Sequence, residues 1–301
     1  MIRFTIIIPS KNLPDLLDRS LASIPQRDDI QVVVVDDHSD PSLVGQAGYP
    51  GLDRLGTEVV FLEKEGGAGH ARNIGLQRAE GRWTLFMDCD DFFTPEFEKL
   101  VDSHFDDDAD IVYFDVTSVC SEDLSESPRH LARSEYFTRY SGAEREFCCR
   151  WLYTEPWGKM FRTDFLRKHD IHFEETPLAN DFRFSVLSGL KAASVSTDTG
   201  VLYCVTERKG SLSHDFCSTE HQLMTRLQVY RDVQDLLDGA GVRSYPFYKL
   251  VNFTLRHRQS LIPVLKNFCE DRNIRYNVLK IKTLYYRVLF ARYHRRHWAV
   301  F

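Results

Sequence analysis

Four short apolar runs, Phe4–Ile8, Gln31–Val35, Val59–Leu62 and Trp83–Phe86, alternate along the first third of the chain with stretches of helical periodicity. Leu13, Leu16, Leu17, Leu21 and Ile24 recur at spacings of three and four after the first run, and His70–Ala79 reads as a helix before the fourth. Strands apolar on both faces and separated by helices fit only an α/β architecture, with a mainly parallel sheet covered on both sides. In such sheets ligands bind beyond the carboxyl ends of the strands. The polar residues fall at those ends: Asp36-Asp37 after the second run, Gly66-Gly67-Ala68-Gly69 after the third, and Asp88-Cys89-Asp90-Asp91 after the fourth. Further on, Asp110–Val116 and Trp157–Phe161 read as strands and Asn180–Leu190 as a helix. From about residue 218 the pattern turns helical, with Gly239-Ala240-Gly241 as a stop.

At 301 residues, with 43% hydrophobic and 13% aromatic residues, the chain can fill one large domain and an appendage. Its seven cysteines are odd in number and none forms a C-x-x-C pair, which fits a reduced, cytoplasmic setting. The N-terminal apolar run is too short for a signal-peptide core and reads as the first strand, and no segment approaches the ~20 apolar residues of a spanning helix. The net charge of −6 is uneven. The last thirty residues hold eight Lys or Arg and no acid, while the remainder carries 30 Lys and Arg against 44 Asp and Glu, a balance of −14. An acidic body argues against nucleic acid as a partner. In the basic tail Val278, Ile281, Tyr285, Val288 and Leu289 recur near helical spacing. Two readings of it stay open: peripheral contact with an anionic membrane surface, or a helix packed on the rest of the chain with a solvated basic face.

Asp88-Cys89-Asp90-Asp91 crowds three carboxylates after a buried strand, where they repel unless a cation or donor compensates them. Mg²⁺ and Mn²⁺ take such oxygen ligands and share them with substrate phosphates. The competing reading is an acidic turn before a helix starting at Thr94-Pro95. Gly66-Gly67-Ala68-Gly69 places free N–H groups before a helix, where an anion is favoured, although neither the dinucleotide fingerprint nor a P-loop is complete. A tight strand-to-helix turn would explain it equally. Asp36-Asp37-His38-Ser39 can be a ligand contact or a helix cap, and His38 reads as a surface residue. Asp106-Asp107-Asp108 reads as a solvated loop.

Together these segments carry a resemblance. Ile6-Ile7-Ile8-Pro9-Ser10-Lys11-Asn12, Val33-Val34-Val35-Asp36-Asp37-His38-Ser39, Ala71-Arg72-Asn73-Ile74-Gly75-Leu76 and Phe86-Met87-Asp88-Cys89-Asp90-Asp91 resemble, in order, the motifs of family 2 glycosyltransferases. Glu155-Pro156-Trp157-Gly158-Lys159-Met160-Phe161 and Asn180-Asp181-Phe182 resemble that family's acceptor region. The resemblance implies a GT-A fold, a Rossmann-like nucleotide-binding domain, over residues 1–215, with a mostly helical extension over 216–301. It implies inverting transfer from a nucleotide-sugar, a UDP-sugar by frequency, to a glycan or lipid-linked glycan of a bacterial surface polysaccharide, at the inner face of the cytoplasmic membrane. By the same resemblance Asp37 reads the nucleotide base with Asp36 beside it, in a donor site that also includes Pro9, Lys11, Asn12 and Gly67. Arg72 lies near the nucleotide or its phosphates, Asp88 contacts ribose or sugar, Asp90 binds the Mn²⁺ or Mg²⁺, Trp157 offers an apolar platform to the acceptor, and Asp181 is the catalytic base. Lys11 stands where the family often has tyrosine, and Asn180 where it usually has glutamate.

The chemistry accounts for these residue types: an acceptor hydroxyl must lose a proton as it attacks, and the departing diphosphate must have its charge stabilised. A sugar nucleotidyltransferase would need a glycine-rich basic loop after the first strand, where Pro9-Ser10-Lys11-Asn12 stands instead. A member that binds donor or glycan without turnover remains the other alternative, because of Asn180.

Overall fold

The computed structural model describes residues 1–45, 48–208 and 217–293, with side chains to residue 288. The chain divides into two compact units, Met1–Arg208 and Lys209–Phe301. The expected domain boundary at 215/216 and the last tail residues, 294–301, lie outside the described residues.

The first unit opens with β1 (Phe4–Ser10), α1 (Pro14–Ala22), β2 (Ile30–Asp36), β3 (Thr57–Phe61), α2 (Gly67–Arg78) and β4 (Trp83–Phe86). It continues with β5 (Phe92–Phe93), α3 (Phe97–Ser103), β6 (Ile111–Cys120), α4 (Leu131–Thr138), α5 (Gly142–Trp151), β7 (Lys159–Arg162), α6 (Thr163–Lys168), α7 (Phe182–Lys191) and β8 (Val195–Glu207). The sheet order is β3-β2-β1-β4-β7-β6-β8-β5. The first four strands in that order are parallel, each of β1 and β4 being fully buried, which is why they read as unbroken apolar runs. β7 runs antiparallel to both β4 and β6, and β5 antiparallel to β8, so only four of the seven described pairings are parallel. The parallel half keeps the ends of β1, β2 and β4 on one rim. The expected helix start at Thr94-Pro95 is corrected: α3 begins at Phe97, and the Thr94 hydroxyl donates instead to the Val201 carbonyl of β8 at 2.5 Å.

Two packings bring the later segments to that rim. Phe86 at the end of β4 meets Phe161 of β7 and Phe184 of α7 edge-on, while Phe173 stacks on Phe184 with centroids 3.9 Å apart. Such aromatic pairs add about 0.5–1.5 kcal/mol each beyond area burial, enough to fix where α7 begins. Asn180-Asp181 at that beginning is therefore placed by core rings. The other packing is α2 against the segment before α7: Asn73 accepts from the Phe173 N–H at 2.8 Å and donates to its carbonyl at 3.0 Å.

The second unit is helical as its periodicity predicts, with α8 (Glu220–Gly239), α9 (Pro246–His257), α10 (Ile262–Asp271) and α11 (Tyr276–Tyr293). Thr219 caps α8, its hydroxyl accepting from the Gln222 N–H. Among the described residues no helix is long and apolar enough to cross a membrane, and all seven cysteines are free.

Gly69 marks a close backbone approach in the first unit, because a Cβ there would overlap the Glu174 carbonyl oxygen and stand 3.0 Å from Asn180 Cβ. Gly69→Ala is expected to lower stability by about 1–3 kcal/mol through overpacking against backbone that cannot swing away, despite the helix-propensity gain of alanine. Urea denaturation of the variant beside the parent measures this, and equal midpoints would show that the contact yields freely.

Candidate functional site

The rim begins with the loop after β1. Asn12, at φ 57°, donates its backbone N–H to Ser39 Oγ at 2.8 Å and accepts the Asp40 N–H on its side chain at 2.7 Å. This ties Pro9-Ser10-Lys11-Asn12 to the loop after β2, whose Asp36 accepts from Ser39 and, at 2.9 Å, from the Tyr49 hydroxyl. Lys11 reaches Glu65 at 2.7 Å across the rim. Among the described residues no helix follows Asp36-Asp37 before β3, which speaks against the capping alternative for them. Exposed His38 has its Nδ1 3.4 Å from the Leu62 carbonyl.

Asp37 accepts the backbone N–H groups of Gly66 at 2.7 Å and Gly67 at 2.9 Å. The anion expected at the start of α2 is thus an internal carboxylate. Gly67, at φ 84°, makes the turn that presents these amides. Each Asp37 oxygen keeps a second lone pair for another donor.

Each acid of the turn after β4 meets a different environment. Asp88 pairs with Arg72 at 2.5 Å, and its N–H donates to the Tyr203 hydroxyl at 3.0 Å. Asp91 is buried, accepting the Tyr203 hydroxyl at 2.8 Å and the Thr206 N–H at 2.6 Å, and burial together with Asp90 and Asp88 holds its carboxyl well above the usual range. Asp90 is raised by burial and by Asp88, and Arg208, 3.8 Å away, offsets this in part. Behind the turn, Arg19 of α1 donates to the Asp90 carbonyl at 2.6 Å, and Ser20 Oγ lies 2.8 and 2.5 Å from the carbonyls of Cys89 and Asp91. Cys89 itself is buried, its thiol pushed up to about 12 by burial and the flanking acids.

Arg72 links this turn to the segment before α7. Its guanidinium, 5% exposed, donates to Asp88 and, at 3.0 Å, to the side-chain oxygen of Asn180, and lies 5.3 Å from the Phe173 ring. Asp181, next to Asn180, occupies the cap position of α7 but makes no side-chain cap bond. Burial raises its carboxyl to about 6, Arg72 pulling downward and Glu155 upward. Nearby Lys159 is fully buried, donates to the Tyr153 carbonyl at 2.7 Å, and is lowered to about 7 by burial against the opposing pull of Glu155. The structure thus unites Asp88, Arg72, Asn180 and Asp181, and separately clusters Lys11, Asn12, Asp36, Asp37 and Gly67.

Trp157 is 8% exposed, and one face of its indole stacks on the Tyr203 ring, centroids 5.4 Å apart and planes within 4°. Within Asp106-Asp107-Asp108, Asp106 is solvated, but Asp107 holds His104 at 3.1 Å. Sequence reasoning missed β8 altogether and with it Tyr203, Thr206 and Arg208; the signal was the Val201–Val205 run, short and preceded by polar Ser196-Thr197-Asp198-Thr199-Gly200.

Comparison with known proteins gives concordant matches. The family described as Glycosyl transferase family 2 matches residues 5–178. The poly(ribitol-phosphate) beta-N-acetylglucosaminyltransferase TarS of Staphylococcus aureus (strain MW2) is 30% identical over 233 residues, covering 73% of this chain but 38% of the TarS length. The succinoglycan biosynthesis protein ExoO of Rhizobium meliloti is 27% identical over 222 residues, 69% of this chain and 62% of its own. In three dimensions the crystal structure of S. aureus TarS 1-349 in complex with UDP-GlcNAc superposes with a TM-score of 0.64 at 24% identity, covering 89% of this chain and 81% of that one. That likeness establishes the GT-A fold with a helical extension.

The Tyr203 hydroxyl serves both Asp88 and Asp91, so Tyr203→Phe, which keeps the stack on Trp157, is expected to cost about 1–3 kcal/mol of stability by leaving buried polar groups one partner short. Guanidinium unfolding of both proteins reads this, and an unchanged free energy would remove Tyr203 from the support of the turn.

Proposed function

The chain belongs to glycosyl transferase family 2, and on that premise we propose that it is an inverting glycosyltransferase moving a sugar from a nucleoside-diphosphate sugar to a hydroxyl of a glycan or lipid-linked glycan. The observation that carries this reading is the Arg72 bridge, which joins the donor-side Asp88 to Asn180 and so brings Asp181 beside the donor turn. A UDP-sugar donor is supported by the likeness to the TarS complex with UDP-GlcNAc, and surface polysaccharide as product by what TarS and the succinoglycan protein make. The proposed division of labour gives donor binding and catalysis to residues 1–215 and leaves 216–301 as an extension.

In this reading Asp37 and Asp36 meet the base through their remaining lone pairs, beside Pro9, Lys11, Asn12 and Gly67. Asp88 accepts from a donor hydroxyl while Arg72 fixes its orientation, and the Arg72 charge faces the diphosphate. Asp90 would hold the divalent ion. The residues fit one: Asp90 and Asp88 repel each other, burial raises Asp90, and its nearest cation is 3.8 Å off. Among the described residues no three acidic, His or Cys groups form a ready ligand set, as suits a site completed by donor phosphates. Bound Mg²⁺ or Mn²⁺ would neutralise charge on the departing diphosphate.

Asp181 accepts the acceptor's hydroxyl proton as that oxygen attacks the anomeric carbon from the face opposite the leaving group, the bond to the diphosphate breaking as the new bond forms. A carboxyl raised to about 6 is a stronger base than an ordinary aspartate yet is ionised at neutral pH. Asn180 cannot replace it, since an amide takes no proton, and the missing cap bond favours a chemical over a capping role for Asp181.

Release of nucleoside diphosphate from a panel of donors tests the reading; pyrophosphate release, or donor binding without release, would reject it. Asp181→Asn is expected to lower turnover about 10²–10⁴-fold with donor affinity and melting temperature retained. In the parent protein turnover should fall tenfold per unit below pH about 6, as the base takes up its proton. If Asp181→Asn keeps more than about a tenth of parental turnover, another group takes the proton. Calorimetry with UDP is expected to show binding strengthened by Mn²⁺ or Mg²⁺ in the parent and not in Asp90→Ala. Equal affinities with metal and with chelator would dismiss Asp90 as the ligand.

A further inference from the structure

Helix α11 has two apolar faces, and only one is used inside the second unit. Leu279 and Thr283 are buried, and the Tyr286 ring lies 4.3 Å from each of Tyr245 and Tyr248 at α9. Val278, Ile281, Tyr285 and Val288, at spacings of three, four and three, form a second stripe that Leu284 widens. With about 100° between successive residues this stripe lies nearly opposite the buried one. Within the described second unit these residues are exposed, Ile281 at 69% and Tyr285 at 60%. Lys282 borders the stripe on one side and Lys280 and Arg287 on the other, and α11 contains no acidic residue.

We propose that the outward stripe of α11 docks on an anionic membrane surface, the apolar side chains entering the interfacial layer while Lys280, Lys282 and Arg287 meet lipid phosphates. The aliphatic stems of the lysines extend the apolar contact as their ammonium groups reach the headgroups. Charge selects this occupant over a second copy of the chain. A two-fold pairing of stripes would set the three cations that border the stripe of one helix against those of the other, with no acid on either helix to relieve them. Residues 294–301 add Arg295 and Arg296 and no acid, so they do not complement the stripe either. The docking is independent of the transfer reaction, and it would bring the enzyme to the surface where a lipid-linked acceptor resides.

The test is co-sedimentation of the full chain with vesicles of phosphatidylcholine alone and of phosphatidylcholine and phosphatidylglycerol in equal parts, at low and high salt. Binding is expected only to the anionic vesicles and should weaken with salt. Lys280→Gln with Lys282→Gln is expected to lower the partition coefficient roughly 25-fold, from about fivefold per charge, and Ile281→Glu with Tyr285→Glu to abolish binding. Because these side chains face outward, the variants should keep the parental circular dichroism melt and nucleoside diphosphate release, which separates failure of docking from failure of folding or of the transferase reading. Absence of parental binding to anionic vesicles, equal binding to neutral ones, or binding untouched by the stripe substitutions would overturn the proposal. So would self-association in analytical ultracentrifugation that Ile281→Glu with Tyr285→Glu abolishes, which would assign the stripe to a second copy.

Discussion

Like charges set the problem that this rim solves. Asp88, Asp90 and Asp91 stand within four residues at the end of a fully buried strand, where their repulsion is poorly screened. Asp88 is met by a full positive charge on Arg72, and Asp91 by two neutral donors, the Tyr203 hydroxyl and the Thr206 amide. Asp90 keeps the least compensation. Placing the partners dictates much of the surrounding architecture: α2 must bring Arg72 across β1, β8 must run beside β6 to bring Tyr203 and Thr206, and α1 must hold the carbonyls of the turn from behind. The parallel half of the sheet thus supplies the acids, and segments reaching it from later in the chain supply most of their counterparts.

The same economy of charge reaches the acceptor segment. Arg72 is paired with one negative partner, Asp88, and one neutral one, Asn180, and its charge still pulls the Asp181 carboxyl downward. A glutamate at position 180 would claim that charge. Burial and Glu155 work in the other direction, and Glu155 is itself ion-paired with Arg133. Lys159, pushed to about 7 beneath Asp181, adds a second group whose protonation is balanced near neutrality. The Asn180 amide oxygen accepts from the Arg72 guanidinium without adding a charge of its own.

How much of this the chain declares in advance depends on the range of the interaction. The strands β1, β2 and β4 are continuous apolar runs because both their faces are covered, and the acids at their ends were visible as interruptions of that pattern. The direction of β7 was not, since Lys159-Met160-Phe161-Arg162 reads the same in either orientation and only its partners decide it. Asp37 was legible as an acid at the end of a strand but not as the anion seated on the α2 amides, a contact spanning 29 residues. The stacking of Trp157 on Tyr203 was not legible, because the two residues lie far apart in the chain. The periodicity of α11 left its two faces undivided, and only the position of α9 shows which one is taken.

Cys89 sits between Asp88 and Asp90 with its side chain turned into the core, and its high proton affinity keeps it a thiol at any ordinary pH. Electrophiles attack thiolates, so burial and the two flanking acids together shield this sulfur from alkylation for as long as the turn stays packed on α1.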